Sequence, residues 1–157
     1  MYRALALTVL SFAFITCAHA QGATQDFSRI ERGRYLTTLS DCAGCHTAPG
    51  GKPFAGGVAL QTPFGTLIAP NITPDTETGI GNWSDDEFVS AVQDGRGRNG
   101  TRLYPAMPYT AYTKMSRDDI LAIRAYLNTV TPVHNRVNAN QLPFPFNIRL
   151  AMMVWNW

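Results

Sequence analysis

The sequence SDCAGCH, residues 40–46, separates Cys42 and Cys45 by two residues and places His46 directly after the second cysteine. Three kinds of site contain such a pair of thiols: a redox dithiol, one half of a zinc site and the attachment point of a covalent haem. Each kind of site belongs to a different class of protein, so the rest of the sequence has to separate them.

The first twenty residues have the layout of a secretory signal peptide. MYR supplies a positive charge, ALALTVLSFAFIT is an apolar run, and AHA, residues 18–20, has small residues at its first and third positions. The run is shorter than the roughly 20 apolar residues that span a bilayer, so we expect cleavage after Ala20 and export. The cysteines and histidines of the mature chain would be Cys42, Cys45, His46 and His134.

The composition indicates one globular domain with long loops. Of the 157 residues, 45 % are hydrophobic and 15 % are charged, and there are 13 glycines and 10 prolines. Without Arg3 of the leader, basic residues outnumber acidic ones by one. Such a small net charge gives no support to a nucleic-acid partner.

Apolar spacing predicts a first helix from about Phe27 to Leu39, with Ser28 and Glu31 spaced as a capping box. After it, residues 47–82 are dense in glycine and proline and show no helical period. Long loops in small domains are usually functional. They also leave few helices to form a core, and a large apolar cofactor at the centre would make up that shortage.

Two further helices have clear capping signals. The second follows Ser84, with Glu87 three residues on, and should end at Gly95. The third follows Ser116, and its apolar positions recur at helical spacing until Thr131 precedes a proline.

The redox, zinc and disulfide interpretations of the cysteine pair lack support elsewhere. A redox dithiol of this spacing lies between a strand and a helix of a βαβ unit, and no such pattern is present. Structural zinc needs four ligands, and beyond the motif the mature chain offers only the distant His134. A disulfide between Cys42 and Cys45 would close so short a loop that it would stabilise little.

Covalent haem uses all three residues of the motif. Two thiols add to the two vinyl groups of the porphyrin, and the histidine that follows can reach the iron as proximal ligand. Export agrees with this chemistry, because haem is attached outside the cytoplasm. The motif therefore predicts one haem c, held by Cys42 and Cys45 and ligated by His46.

A second axial ligand would make the protein an electron carrier rather than an open, reactive haem. Met107 lies in YPAMPY, where Pro105 and Pro108 restrict the backbone and prevent a helix. A rigid irregular segment suits a thioether that must meet the iron from one direction, so Met107 is the predicted distal ligand. The other candidates are Met115, Met152, Met153 and His134.

Three stretches of the chain resemble one family. RGRYLTTLSDCAGCHTAPGGKPFAGG, TPFGTLIAPNITPDTETGIGNWSDDEF and RLYPAMPYTAYTKMSRDDILAIRAYL are similar to the cytochrome c subunits of membrane-associated bacterial alcohol and gluconate dehydrogenases. The similarity runs from about Ser28 to the C-terminus and includes the loop as well as the cysteine motif.

The resemblance implies the mostly α, class I cytochrome c fold, with about three main helices around one haem and a crossing of the first and last helices. Gly33 and Tyr126 would suit that crossing. It implies a periplasmic electron carrier that is not itself an enzyme. Electrons would come from a quinoprotein or flavoprotein dehydrogenase that oxidises an alcohol, aldehyde or sugar, and would pass to a respiratory-chain quinone or another cytochrome. The alternative is an open-site haem enzyme or a gas or redox sensor.

The chain divides into three predicted parts: a leader, residues 1–20; a mono-haem cytochrome c domain, residues 21–135; and an apolar extension, residues 136–157. The related subunits commonly contain three haem domains in a row, whereas this sequence has one Cys-x-x-Cys-His motif. We therefore expect a single-haem relative, a split subunit or a truncated product.

The apolar extension has three interpretations. It packs back on the domain, it contacts a partner subunit, or it lies at the membrane surface, where tryptophan is favoured. Its apolar residues are Phe144, Phe146, Ile148, Leu150, Met152, Met153, Val154, Trp155 and Trp157.

Several residues have a weaker predicted role around the haem. Trp83 is a candidate donor to a haem propionate, and the second ring nitrogen of His46 should meet a backbone carbonyl. The candidate pocket residues, which would otherwise only anchor the loop, are Phe54, Phe64, Leu67 and Ile72. Three arginines would contact propionates or steer a partner, or simply be solvated: Arg96, Arg98 and Arg102.

Overall fold

A computed structural model describes residues 26–151, and within them five α-helices and a two-stranded sheet form the regular structure. The helices are α1, residues 26–39; α2, Cys42–His46; α3, Asp85–Asp94; α4, Tyr109–Tyr112; and α5, Arg117–Leu127. The strands are β1, Ala59–Thr62, and β2, Gly65–Ile68. The predicted mostly helical fold class is confirmed. The predicted leader of residues 1–20 lies outside the described residues, as does the end of the extension from Met152 to Trp157.

Helix α3 has the predicted ends. The Ser84 hydroxyl accepts the Glu87 backbone N–H at 3.1 Å, and the Glu87 carboxylate accepts the Ser84 N–H at 2.8 Å. At the other end Gly95 adopts φ 63°, the left-handed conformation that glycine tolerates best. Local capping chemistry therefore explains both ends of this helix.

One predicted helix cap and one predicted helix end are wrong. Ser28 is not a cap, because the two residues before it are already helical; a spacing of three residues also occurs inside helices. Helix α5 ends at Leu127 rather than near Thr131. There the Thr129 N–H bonds to the Tyr126 carbonyl at 2.8 Å, a tighter turn that ends the α-helical ladder.

The hairpin of β1 and β2 lies inside the loop for which no regular structure is predicted. Its strands pair antiparallel, with Ala59 opposite Ile68 and Thr62 opposite Gly65. Gly65 has φ 120°, which allows the tight turn after Pro63 and Phe64. This hairpin leads the chain directly to Pro70.

Helices α1 and α5 cross at Gly33, as the resemblance implies. A Cβ atom at Gly33 would lie 1.9 Å from the Ala122 carbonyl oxygen and 3.0 Å from the Tyr126 Cβ. The Arg32 guanidinium also meets the Asp119 carboxylate at 2.5 Å. Only a residue without a side chain allows this contact between the two helices.

The core draws on α1, α3, α5 and the long loop. Its buried members are Leu36, Phe54, Ile80, Phe88, Val89, Val92, Ile120, Ile123 and Leu127. Among residues 26–151, no helix is both long enough and apolar enough to cross a membrane.

The first half of the apolar extension packs partly against the hairpin. Gln141 and Thr66 exchange backbone hydrogen bonds of 3.0 and 2.8 Å, and the rings of Phe146 and Phe64 lie 4.8 Å apart. Other apolar side chains of the extension face outward: Phe144 is 79 % exposed and Leu150 is 72 % exposed.

Candidate haem site

Helix α2 is one short turn that carries both cysteines and ends at His46. Asp41 precedes it with φ 50°, and the Gly44 N–H bonds to the Asp41 carbonyl at 3.1 Å. Residues three apart on a helix lie on one face, so the thiols of Cys42 and Cys45 are neighbours. Both are half-buried free cysteines.

The Cys42 thiol lacks the electrostatics of a redox dithiol. Burial raises the pKa of Cys42 to about 11, and the nearby Asp41 carboxylate acts in the same direction. A reactive redox cysteine needs a lowered pKa, which stabilises its thiolate. The Cys42 thiol therefore does not resemble the nucleophile of a redox dithiol.

The His46 imidazole is held by a backbone carbonyl. Its Nδ1 lies 2.7 Å from the Pro70 carbonyl oxygen, so Nδ1 carries the proton and donates. Burial lowers the pKa of His46, although the hydrogen bond to Pro70 opposes this shift. The imidazole is thus neutral at neutral pH, and its Nε2 lone pair remains available to a metal.

Gly56 allows the Pro70 peptide to approach His46. The Gly56 N–H donates to the His46 carbonyl at 2.8 Å, and the Gly57 N–H donates to the Ala69 carbonyl at 2.9 Å. A Cβ at Gly56 would lie only 2.5 Å from the Pro70 carbonyl carbon, and its φ of 75° disfavours other residues. Sequence reasoning missed Gly56, although the Gly-Gly pair in FAGGV is a signal for an unusual backbone.

A buried polar network fixes the chain just after Pro70. The Asn71 side chain accepts the N–H and hydroxyl of Thr73 at 2.9 and 2.8 Å and donates to the Val133 carbonyl at 2.7 Å. It also donates to the Thr78 hydroxyl at 2.9 Å. Buried polar groups that are fully paired hold one conformation, so this network positions the carbonyl that orients His46.

Met107 lies at the centre of an irregular turn. The Tyr104 carbonyl accepts the Met107 N–H at 3.1 Å, and the Met107 carbonyl accepts the Tyr109 N–H at 2.8 Å. Both Met107 and Cys42 are partly buried against the same hydrophobic core. Met115 also packs there, with its carbonyl held by Gln93 at 2.6 Å.

His134 lies apart from this site. Its side chain is 57 % exposed, and its Nδ1 is 3.7 Å from Asp75 and 3.9 Å from Glu77. Within residues 26–151, no group of three or more His, Cys, Asp or Glu side chains could hold a metal ion. The zinc interpretation therefore has no support in the described chain.

An apolar cavity of about 320 Å³ lies beside the Met107 turn. It lies between the hairpin and the three residues before Met107, and two residues of the extension line another side. Its lining residues are Thr62, Pro63, Phe64, Leu67, Tyr104, Pro105, Ala106, Leu142 and Phe146. Thus Phe64 and Leu67 of the four candidate pocket residues line a cavity, whereas Phe54 and Ile72 belong to or pack on the core.

Trp83 and the arginines have protein contacts of their own. Trp83 packs partly buried on the core, and its carbonyl accepts a hydrogen bond from Arg124, which also pairs with Asp85. Arg98 lies 3.9 Å from Glu87, and Arg96 and Arg102 pair through their backbones. The roles predicted for them towards propionates or a partner stay predictions.

The donor groups present suit haem attachment: two neighbouring thiols, a neutral oriented imidazole and a thioether on a rigid turn. The cytochrome c family model matches residues 30–131. This chain belongs to the cytochrome c family. The cofactor of that family is covalent haem c, and Cys42, Cys45 and His46 stay its predicted attachment residues and ligand.

Curated relatives narrow the comparison within the cytochrome c family. The chain is 42 % identical over 153 residues to the gluconate 2-dehydrogenase cytochrome c subunit of Pantoea cypripedii, covering 97 % of this chain and 34 % of the relative. The corresponding subunit of the quinone alcohol dehydrogenase of Gluconobacter oxydans is 41 % identical over 153 residues, covering 97 % and 31 %. One of the subunits of nicotinate dehydrogenase from Pseudomonas putida is 52 % identical over 127 residues, covering 81 % of this chain and 11 % of the relative.

These relatives confirm the resemblance to cytochrome c subunits of dehydrogenases. The chain spans about a third or less of the length of each of these three proteins.

Proposed function

We propose that this chain is a periplasmic cytochrome c domain that carries one haem and transfers electrons from a dehydrogenase to the respiratory chain. The signal-like residues 1–20 support export. The chain would perform no substrate chemistry of its own. Its electron donor would be a quinoprotein or flavoprotein dehydrogenase acting on an alcohol, aldehyde or sugar, and its acceptor a quinone or another cytochrome.

The hydrogen bond between His46 and Pro70 is the observation that carries this proposal. The Nδ1 of His46 is held by the Pro70 carbonyl at 2.7 Å, and His46 follows directly in sequence after the pair of neighbouring free cysteines. This arrangement fixes the imidazole tautomer and its direction, which a proximal iron ligand requires.

Met107 would supply the second protein ligand of the iron. Its turn is held by two backbone hydrogen bonds, of 3.1 and 2.8 Å, so the backbone that carries the thioether has a defined position. Haem c, when bound, supplies a one-electron iron couple, and His/Met ligation raises its reduction potential relative to two histidines. A closed ligand sphere leaves no place for a substrate, which suits an electron carrier.

The protein's own contribution would be to keep these ligands in place in both redox states. The Asn71 network and the Gly56 contact restrain the His46 side, and the prolines around Met107 restrain the other. Rigid ligands reduce the structural change that accompanies electron transfer.

The partners are proposed from the relatives. Three of them are named as subunits of nicotinate, gluconate and alcohol dehydrogenases. The shared role is that of a cytochrome inside a dehydrogenase complex, so we expect co-purification with a dehydrogenase subunit from the same cell.

Contact with the membrane surface through the extension is a separate expectation. Phe144, Ile148 and Leu150 are exposed apolar side chains that could enter a headgroup region. Sedimentation with lipid vesicles should therefore fall when Phe144 and Leu150 are changed to serine. Equal recovery of both forms in the supernatant would contradict this contact.

Absorption spectra of haem-loaded protein test the ligand set. We expect wild-type ferric protein to show the weak far-red band of thioether sulfur on haem iron, and Met107→Ala to lose it. Met115→Ala is the matched control, because Met115 is also partly buried on the same core and should keep the band.

Carbon monoxide provides the complementary measurement on the reduced protein. Wild type should bind it poorly, and Met107→Ala should bind it readily. Rapid binding by wild type, together with an absent far-red band, would instead indicate an open-site haem enzyme or sensor.

A further inference from the structure

The C-terminal strap, defined as residues 140–149, is anchored on the hairpin that leads to Pro70. The Asn140 side-chain oxygen accepts the Ile68 N–H at 2.8 Å. Gln141 and Thr66 form an isolated antiparallel bridge. The strap is thus attached to β2, two residues before the carbonyl that holds His46.

The other end of the strap contacts the segment that leads to Met107. The Arg149 Nη1 donates to the Arg102 carbonyl at 2.8 Å. The Arg149 guanidinium carbon lies 4.9 Å from the centre of the Tyr104 ring, within the range of a cation–π interaction. A single side chain therefore holds both the backbone and a ring of this segment.

Tyr104 is the first residue of the turn that carries the thioether. Its carbonyl accepts the Met107 N–H at 3.1 Å, so a shift of Tyr104 moves Met107 directly. Tyr104, Pro105 and Ala106 also line the apolar cavity of about 320 Å³.

We propose that Arg149 is a positioning residue. From the end of the strap it holds Tyr104 in place and so keeps Met107 at the iron. This inference rests on the proposed function, in which Met107 is the distal ligand. Arg149 would touch neither haem nor iron, and it would act only through the turn. Its loss should weaken thioether ligation while the fold is retained.

The test compares haem-loaded wild type with Arg149→Ala, Arg149→Lys and Arg136→Ala. We expect Arg149→Ala to take up carbon monoxide on the order of tenfold faster in the ferrous state, since one charged hydrogen bond and a cation–π contact are lost. Its far-red ferric band should also disappear at lower denaturant concentration. Arg149→Lys, which retains a cation near the ring, should recover part of the difference.

Arg136→Ala is the matched control. It removes the same charge from an exposed position outside the strap and should behave as wild type. Tyr104→Leu provides a second variant, because it removes the ring under Arg149 but keeps an apolar residue in the cavity wall. It should reproduce the faster uptake of carbon monoxide.

Combining each change with Met107→Ala separates positioning from general loosening. In the Met107→Ala protein, Arg149→Ala should not raise the rate of carbon monoxide uptake any further. If it raises this rate by the same factor as in wild type, the inference is overturned. Wild-type behaviour of Arg149→Ala, with the far-red band present, would overturn the inference alone. A wild type without the band would overturn both this inference and the proposed ligand set.

Discussion

Among single residues, Gly56 illustrates how a residue without functional groups shapes the candidate haem site. It lies between the His46 carbonyl, to which its N–H donates, and the peptide of Pro70, which orients the His46 ring. Any side chain would push these two segments apart. The imidazole direction therefore depends on the absence of a Cβ.

We predict that Gly56→Ala destabilises the protein by about 1–3 kcal/mol, since strain at positive φ adds to the overlap with Pro70. The His46 ring N–H should also exchange faster with solvent, as followed by NMR of the reduced protein. Gly50→Ala is the control: Gly50 has a similar φ of 71°, but a Cβ there meets nothing within 4 Å. Equal losses in both variants would show that backbone strain, not the Pro70 contact, accounts for the effect.

Among the secondary-structure elements, α1 and α5 cross at a contact between backbone atoms. Gly33 meets the Ala122 backbone, and the preceding residue, Arg32, meets Asp119, which lies three residues before Ala122 on α5. Glycine is unfavourable in an isolated helix, so the contact with α5 is what explains Gly33 at this position of α1. The crossing holds the first and last helices together around the core.

Gly33→Ala tests the crossing, because the close contact predicts that this change lowers the free energy of unfolding rather than raising it. In an exposed helix this change would stabilise by about 1 kcal/mol. Here the new methyl group would lie 1.9 Å from the Ala122 carbonyl oxygen, so we expect a loss of about 1–3 kcal/mol or more. Thermal unfolding measures the difference, and a higher melting temperature would contradict the close crossing.

Asp119→Asn tests the electrostatic part of the same contact. Hydrogen bonding to Arg32 lowers the pKa of Asp119 below its ordinary value, so the folded state favours the carboxylate. The stabilisation is present above the unfolded pKa of about 3.9 and is lost as pH falls through the folded pKa. Wild type should therefore melt above the variant at pH 7, with the gap closing below about pH 4. A gap that is constant with pH would exclude the ion pair as its cause.

At the scale of the whole molecule, several side chains of the candidate site also pack against the hydrophobic core. Cys42, Trp83, Met107 and Met115 pack against the buried cluster while staying partly exposed. A covalently attached apolar group beside them would bury apolar surface that the protein alone leaves exposed. Cofactor attachment and folding should accordingly be coupled.

We predict that the chain produced without haem attachment, as Cys42→Ala with Cys45→Ala, loses fixed tertiary packing. Near-UV circular dichroism should weaken, a hydrophobic dye should bind, and unfolding should become less cooperative than in the haem-loaded form. Far-UV circular dichroism should show much of the helix retained. A cooperative transition at an unchanged melting temperature would contradict the coupling.

Features that depend on neighbouring residues could be predicted from the sequence. The cysteine motif, the caps of α3 and the proline-restrained turn around Met107 are local signals, and the chemistry that they specify needs no knowledge of distant segments. The hairpin was missed because its short strands carry no clear alternation. Helix α5 was extended too far because apolar spacing continues past its last hydrogen-bonded turn.

Contacts between distant groups, by contrast, came from the tertiary structure alone. The Pro70 carbonyl reaches His46 across 24 residues of chain, and Arg149 reaches Arg102 across 47. Such contacts depend on how the whole backbone packs, because every carbonyl is chemically the same acceptor and its position selects it. One short motif therefore predicts the haem-attachment chemistry, whereas the Pro70 carbonyl that orients His46 is brought to it only by the fold.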